Sequence, residues 1–190
     1  MSSCPTIIID VWSDLACPWH PYIIDHGTNP AGEEYLAYNK RRWGSDGWTQ
    51  SLRRSGAPDG ATFANWKWWP NTLKAHRLVL LAERSGQAAE AEDLLFQAIY
   101  ERGQNVADAA TLNALGHELG LDGVKDYLDS SNGQEEVLEE DSGAKQAMGI
   151  RGVPYFVIRS SFGEVQHTLS GAQSVAAFTQ AFKQAIEAKQ

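Results

Sequence analysis

The sequence contains few cysteines and no long apolar run. Among its 190 residues only Cys4 and Cys17 carry thiols, which excludes the disulfide framework typical of small secreted proteins. No segment approaches the roughly 18 consecutive apolar residues that a membrane-spanning helix needs. The first residues contain no basic stretch followed by a long apolar one, so we expect no secretory signal, no membrane partner and a reducing, cytoplasmic location.

Positive charge is also scarce. The chain has 16 Lys and Arg residues against 24 Asp and Glu residues, for a formal net charge of -8. Because nucleic-acid surfaces need clustered positive charge, this balance predicts no nucleic-acid partner. The histidines His26, His117 and His167 are not grouped with cysteines or carboxylates at metal-ligand spacing, so we expect no metal site.

Patterns typical of β-strands occur at the two ends of the chain. Residues 6–12 are β-branched and apolar nearly throughout, which predicts a strand buried on both faces. Residues 20–25 are expected to form a second strand. Near the C-terminus, 155–158 and 165–169 are predicted strands, and residues 170–173 fit a capping box that would open a final helix.

The middle of the chain has helical periodicity. Helices are predicted at 33–42, 48–54, 73–84, 94–99, 108–119, 122–128 and 134–148. The order of elements is therefore a strand, a cysteine loop, a strand, a long helical block, two strands and a helix. Most of the tryptophans of the block are expected to pack in its core, and one or two of them, with Phe63, could wall an apolar cleft.

Four motifs occur in a fixed order along the chain. They are Ser-Asp-x-x-Cys-Pro-Trp at 13–19, Pro-Asn-Thr-Leu-x-Ala-His-Arg-Leu at 70–78, Gly-Val-Pro-Tyr-Phe-Val at 152–157 and Ser-Gly-Ala-Gln at 170–173. Together they resemble the DsbA-like thioredoxin-fold family, in particular the FrnE / 2-hydroxychromene-2-carboxylate isomerase group, which is related to kappa-class glutathione transferases.

This resemblance covers nearly the whole chain. It implies an α/β, thioredoxin-like fold with an all-helical insertion domain. Residues 1–28 plus 150–190 would form the thioredoxin-like domain, and residues 29–149 would form the insertion.

The chain departs from this family at the second cysteine of the motif. Redox members carry Cys-Pro-x-Cys, whereas residues 17–20 are Cys-Pro-Trp-His. Independently of the family, two neighbouring parallel strands at 6–12 and 21–24 would need a crossover of roughly a dozen residues or more, and only about eight lie between them. The sequence therefore predicts that the first active-site helix, with the second cysteine, is missing.

Cys17 is the candidate catalytic residue. Alone in its motif, it could form a mixed disulfide with glutathione or a protein thiol, which another thiol would resolve. The alternative is a residual, non-catalytic thiol. The resemblance implies that Pro154 is a cis-proline facing Cys17 and presents the backbone of Val153 to an extended substrate; the alternative is a plain turn before a strand.

Further substrate-binding residues are expected in two places. Trp19 belongs to the cysteine motif. The resemblance implies that Asn71, Thr72 and His76, at the start of a buried helix, help to form the substrate pocket, and a helix cap at Asn71 is compatible with that role.

Three functions follow from these features. The first is a DsbA-like thiol–disulfide oxidoreductase, monothiol or impaired, with no bound cofactor, glutathione as a co-substrate, and a thiol or disulfide peptide or small molecule as substrate. The second is a glutathione-dependent isomerase or transferase, and the third is a non-catalytic remnant. Because relatives of the second kind typically place serine at the reactive position, Cys17 favours the first.

Overall fold

The computed structural model describes residues 6–17, 27–162 and 166–187. The strands, in chain order, are β1 (Ile7–Trp12), β2 (Glu33–Glu34), β3 (Trp68–Trp69), β4 (Tyr155–Ser160) and β5 (Gln166–Ser170). The helices are α1 (Tyr35–Trp43), α2 (Thr49–Gly56), α3 (Leu73–Glu83), α4 (Ala88–Tyr100), α5 (Ala109–Glu118), α6 (Val124–Asp129), α7 (Gln134–Gln146) and α8 (Val175–Glu187). None of these helices is long and apolar enough to cross a membrane.

The chain divides into two compact units. The first comprises Met1–Ile23 with Ser142–Gln190, and the second comprises Ile24–Asp141. Helices α1 to α6 and most of α7 thus lie within one continuous unit, between β1 and β4 in sequence. The predicted domain limits at residues 29 and 149 stay a prediction.

The first unit is built on an antiparallel sheet in the order β1-β4-β5. Ile158 on β4 is paired with Ile9 on β1 and with His167 on β5. One face of the sheet packs against α8, whose Ala181 and Ala185 are buried against Ile158. Five partly buried apolar side chains complete this cluster, namely Phe156, Phe178, Phe182, Leu169 and Ile7. Full burial of a side chain such as that of Ile158 stabilises the fold by about 1.5–3 kcal/mol.

Strand β1 is not buried on both faces, so that prediction was wrong. Ile9 is 42% exposed and Val11 is 53% exposed. Both point to the sheet face that α8 covers, because their pairing partners are Ile158 and Phe156, which belong to the α8 cluster. In the described sheet β1 is an edge strand, and α8 packs mainly on β4 and β5.

The core of the second unit is largely aromatic. Tyr38 stacks on Trp69 with ring centroids 4.2 Å apart, and Trp66 contacts Tyr35 at 4.6 Å and Tyr100 at 4.9 Å. Trp66 and Trp69 are buried, as is the nearby side chain of Phe63. The expectation of core packing is therefore met for these tryptophans, and Phe63 belongs to the core as well.

Two charged side chains fasten loops in this unit. Arg77 is only 2% exposed. Its guanidinium donates to four carbonyl oxygens at and just beyond the end of α6, those of Tyr127, Leu128, Ser130 and Asn132, at 2.7–3.3 Å. These carbonyls have no partner within the helix, so the buried cation terminates α6.

The carboxylate of Glu101 holds the loop at 62–64. It accepts hydrogen bonds from the backbone N–H groups of Thr62, Phe63 and Ala64 and from the hydroxyl of Thr62, at 2.5–3.1 Å. Burial acts to raise the pKa of Glu101, but these hydrogen bonds together bring that pKa below its ordinary value. The bonds also fix Phe63, whose φ of 50° is uncommon for a residue other than glycine.

Several element boundaries differ from the predictions. The helix predicted from residue 33 begins at Tyr35, because Glu34 caps it by accepting the N–H of Ala37 at 2.8 Å. The prediction that residues 170–173 form a capping box at the start of the last helix was wrong. Helix α8 begins at Val175, and the N–H of Ala177 donates to the hydroxyl of Ser174.

The connection after β1 is described only in part. The second strand predicted at 20–25 lies outside the described residues. No α-helix occurs in the described residues between β1 and α1, which are 13–17 and 27–34.

Candidate active site around Cys17

Cys17 lies in a tight turn shortly after β1. Its N–H donates to the carbonyl oxygen of Asp14 at 2.9 Å, which closes the turn. The cysteine is 9% exposed, and its Sγ is 3.7 Å from the carbonyl oxygen of Val153. The fold thus brings the cysteine motif to the Gly-Val-Pro motif, 136 positions away in the sequence.

The loop before β4 presents this carbonyl. Val153 is 2% exposed, and the Val153–Pro154 peptide bond is cis. The carbonyl oxygen of Pro154 accepts the N–H of Gly171 at 2.8 Å, which ties the loop to the end of β5. Gly171 has a φ of 76°, a conformation that glycine adopts readily.

The surroundings of the thiol are apolar. Cys17, Val153, Ala144 and Ile150 form one buried cluster. The partly buried rings of Trp12 and Tyr155, which are cross-strand partners, pack against it with their centroids 6.3 Å apart.

The polar contacts of the thiol define what it can do. An S–H group is a weak donor, and the Val153 carbonyl is a suitable acceptor for it. No described helix begins at Cys17, so the described residues provide none of the helix-dipole stabilisation that reactive thiolates often have. Among the described residues no group of potential metal ligands forms a site.

The other predicted site residues are in the second unit or outside the described residues. Asn71, Thr72 and His76 belong to the second unit, at the start of α3. Asn71 does not occupy the cap position, which Thr72 fills without a side-chain capping bond. Asn71 instead accepts the N–H of Leu73 at 3.2 Å. Their role in substrate binding stays a prediction, as does that of Trp19, which is outside the described residues.

His76 has acidic neighbours. Burial raises the pKa of Glu92. The nearby His76 partly offsets this effect. Burial also raises the pKa of Glu140, with a smaller contribution of the same sign from Glu136 and Glu83.

Sequence reasoning missed the aromatic wall of the site. Trp12 directly precedes the cysteine motif at the end of β1, and Tyr155 lies within the Gly-Val-Pro motif at the start of β4. The signal was present, since antiparallel pairing of the strands that border the motifs would place these residues opposite each other. The antiparallel register needed for that argument was not predicted.

Comparison with known proteins extends these observations. The sequence profile of the DSBA-like thioredoxin domain matches residues 50–183, more than half of the chain. The chain belongs to this family. The matched segment of this DSBA-like chain includes the Val153–Pro154 loop but begins after Cys17. No curated protein matches the sequence significantly.

Solved structures with the same fold accompany this match. The chain superposes on a probable DsbA oxidoreductase from Streptomyces coelicolor with a TM-score of 0.80 and 22% sequence identity, over 97% of this chain and 92% of that one. It superposes on the cytosolic disulfide reductase DsbM from Pseudomonas aeruginosa with a TM-score of 0.52 and 17% identity, over 83% and 78% of the two chains. The predicted DsbA-like thioredoxin fold with inserted helices is confirmed.

Proposed function

We propose that this DSBA-like chain is a thiol–disulfide oxidoreductase in which Cys17 acts as a single nucleophile opposite the Val153–Pro154 loop. The observation that carries this proposal is the 3.7 Å contact between the Sγ atom of Cys17 and the carbonyl oxygen of Val153. The family match supports it. Two solved structures with this fold, described as a probable DsbA oxidoreductase and a cytosolic disulfide reductase, support it as well.

The reaction proceeds by two exchanges. The Cys17 thiolate attacks one sulfur of a substrate disulfide, forms a mixed disulfide and releases the other half of the substrate as a thiolate, which takes up a proton. A second thiol then attacks the mixed disulfide. Cys17 is regenerated, and the second thiol leaves joined to the remaining half of the substrate.

Glutathione is the second thiol in this proposal, because residues 17–20 hold only one cysteine. A reducing, cytoplasmic environment would supply it. The backbone at Val153 would pair with an extended substrate, so that affinity depends little on the substrate's sequence. The four motifs that resemble the FrnE group support assignment to that branch of the family.

The absence of the first active-site helix is part of the same proposal. Two observations support it. The sequence places only about eight residues between β1 and the second strand predicted at 21–24, which is too few for a helical crossover. In addition, Ile9 and Val11 are exposed on a sheet face that α8 covers only in part. Sequencing the full transcript tests this point. A single uninterrupted product that encodes Trp19 next to His20 would contradict the proposal that a segment encoding the helix is missing between them.

The function is tested by incubating the protein with oxidised glutathione and following intact mass over time. The Cys4→Ser variant isolates Cys17, and the Cys17→Ser variant is the matched control. We expect Cys4→Ser to gain one glutathionyl group at neutral pH faster than a free cysteine peptide, and Cys17→Ser to lose that fast phase. Modification of Cys17 no faster than that of the peptide would refute the redox proposal, and glutathione binding without exchange would instead favour a transferase.

A further inference from the structure

The second unit contains a groove that the proposed redox chemistry does not use. It has a volume of about 790 Å³ and lies between the turn at 30–31, β3 and the starts of α3 and α5. Cavities of this size hold small-molecule ligands in other proteins. Three of its lining residues carry distinct binding chemistry, namely Trp68, Lys74 and Asp108.

The ring of Trp68 stands apart from the aromatic core. Trp48, Trp66 and Trp69 all take part in ring–ring contacts with one another. In the described part of the chain the half-buried indole of Trp68 makes no such contact, and its N–H has no hydrogen-bond acceptor there. An aromatic face that lines a groove and is not used by the core is available to stack on a ligand ring.

The ammonium group of Lys74 is similarly uncommitted. Lys74 is exposed, and its side chain has neither an ion pair nor a hydrogen bond to any described residue. The pKa of Asp108 is lowered mainly by Thr111 and that of Asp129 mainly by Lys125, and the charge of Lys74 adds a smaller contribution of the same sign to each. Its distance from each carboxylate nevertheless exceeds the 4.0 Å limit of an ion pair.

Asp108 provides the opposite charge. As the N-cap of α5 it accepts the N–H of Thr111 at 2.9 Å and the hydroxyl of Thr111 at 3.0 Å. The Thr111 backbone bond, then the Thr111 side-chain bond, hold the pKa of Asp108 below its ordinary value, so the carboxylate is charged at neutral pH. The groove thus contains one cation and one anion that do not neutralise each other directly.

We propose that this groove binds a free aromatic α-amino acid. The ligand's carboxylate would pair with Lys74, its ammonium group would pair with Asp108, and its ring would pack on Trp68. A ligand with both charges makes a charge-assisted contact with Lys74 and another with Asp108, whereas a singly charged ligand makes only one of them. All three residues belong to the second unit, whereas Cys17 belongs to the first.

The proposal is tested by calorimetric titration of the full chain with L-phenylalanine. The matched ligands are phenethylamine, which lacks the carboxylate, and 3-phenylpropionate, which lacks the ammonium group. We expect L-phenylalanine to bind at least about tenfold more tightly than either analogue. Equal affinity for the three compounds, or no binding of L-phenylalanine at about 10 mM, overturns the proposal.

Variants then assign the contacts. Lys74→Gln, Trp68→Leu and Asp108→Asn should each weaken L-phenylalanine binding by about tenfold or more. Asparagine is a good N-cap, so the last change removes the charge and preserves the helix start. The control is Lys67→Gln, an exposed lysine that does not line the groove, and it should bind like the wild type. A Lys74→Gln protein with unchanged affinity and a normal thermal melt contradicts the assignment.

Discussion

Replacing Gly133 by alanine should destabilise the protein through a single contact. Gly133 has a φ of 71°, and an added Cβ would lie 2.1 Å from the hydroxyl oxygen of Tyr127. Left-handed backbone costs a residue other than glycine about 1–2 kcal/mol. Displacing the ring of Tyr127, a 6% exposed side chain, adds about 1–3 kcal/mol. We therefore expect Gly133→Ala to lower the free energy of unfolding by about 2–5 kcal/mol.

The second change in this experiment is Tyr127→Phe. The Tyr127 hydroxyl is buried and has no hydrogen-bond partner among the described residues, so its removal alone should leave stability unchanged or slightly higher. In the double variant the 2.1 Å contact is gone, because the clashing atom is that hydroxyl oxygen. The Cζ atom of the ring, 3.2 Å from the added Cβ, is a much milder contact, so mainly the backbone term of about 1–2 kcal/mol should remain.

Denaturant unfolding of the four proteins measures the coupling between these positions. A coupling free energy of about 1–3 kcal/mol in favour of the double variant is expected. If the two changes are additive within about 0.5 kcal/mol, the clash is not the cause of the destabilisation and the reasoning is refuted.

Three further stability predictions follow from polar side chains, each measured by denaturant unfolding. Arg77→Met should cost about 3–5 kcal/mol, because four carbonyl oxygens lose a buried cationic donor; a loss below about 1 kcal/mol would contradict this role. His167→Leu should raise stability by about 1 kcal/mol, since the Nε2 atom is buried without a described partner, and a destabilised variant would oppose that interpretation. Glu101→Gln should be less stable than the wild type at neutral pH. The folded-state pKa of Glu101 is lowered, so its contribution is present above the unfolded value of about 4.3 and disappears as the pH falls through the folded value; a difference that persists in acid would argue against this origin.

The fold was predictable where local pattern and packing agree. The helix predicted from residue 108 begins there, with Asp108 as its N-cap, because an aspartate before an apolar helical pattern satisfies the first free N–H groups. The strand at 155–160 has the same beginning as predicted and extends two residues further. The resemblance to the DsbA-like family, stated from four short motifs, agrees with the family match over residues 50–183.

Other features depended on tertiary contacts. Two short strands, Glu33–Glu34 and Trp68–Trp69, were missed because two residues are too few to show the alternation of apolar and polar residues that predicts a strand. They pair across about 35 residues of sequence, and only the folded unit defines that pairing. The burial of β1 was predicted from its apolar composition. Composition alone does not reveal whether a neighbouring element exists to cover Ile9 and Val11.

The candidate site was predictable in its centre and not at its edge. Cys17, Val153 and Pro154 were identified from motifs, and the structure brings them together. Trp12 and Tyr155 needed the strand register. Lys74 and Trp68, which line the separate groove of the second unit, could not be recognised from sequence, because an exposed lysine and an indole outside the aromatic core have no distinguishing pattern.

The exposed face of β1 has a consequence for how this protein behaves at high concentration. An edge strand that displays β-branched side chains is a template on which other chains can add strands. Ile9 and Val11, at 42% and 53% exposure, provide such a template in the described sheet. We therefore expect aggregation to increase with protein concentration, and Val11→Lys to suppress it, because a lysine on an edge strand opposes the addition of further strands.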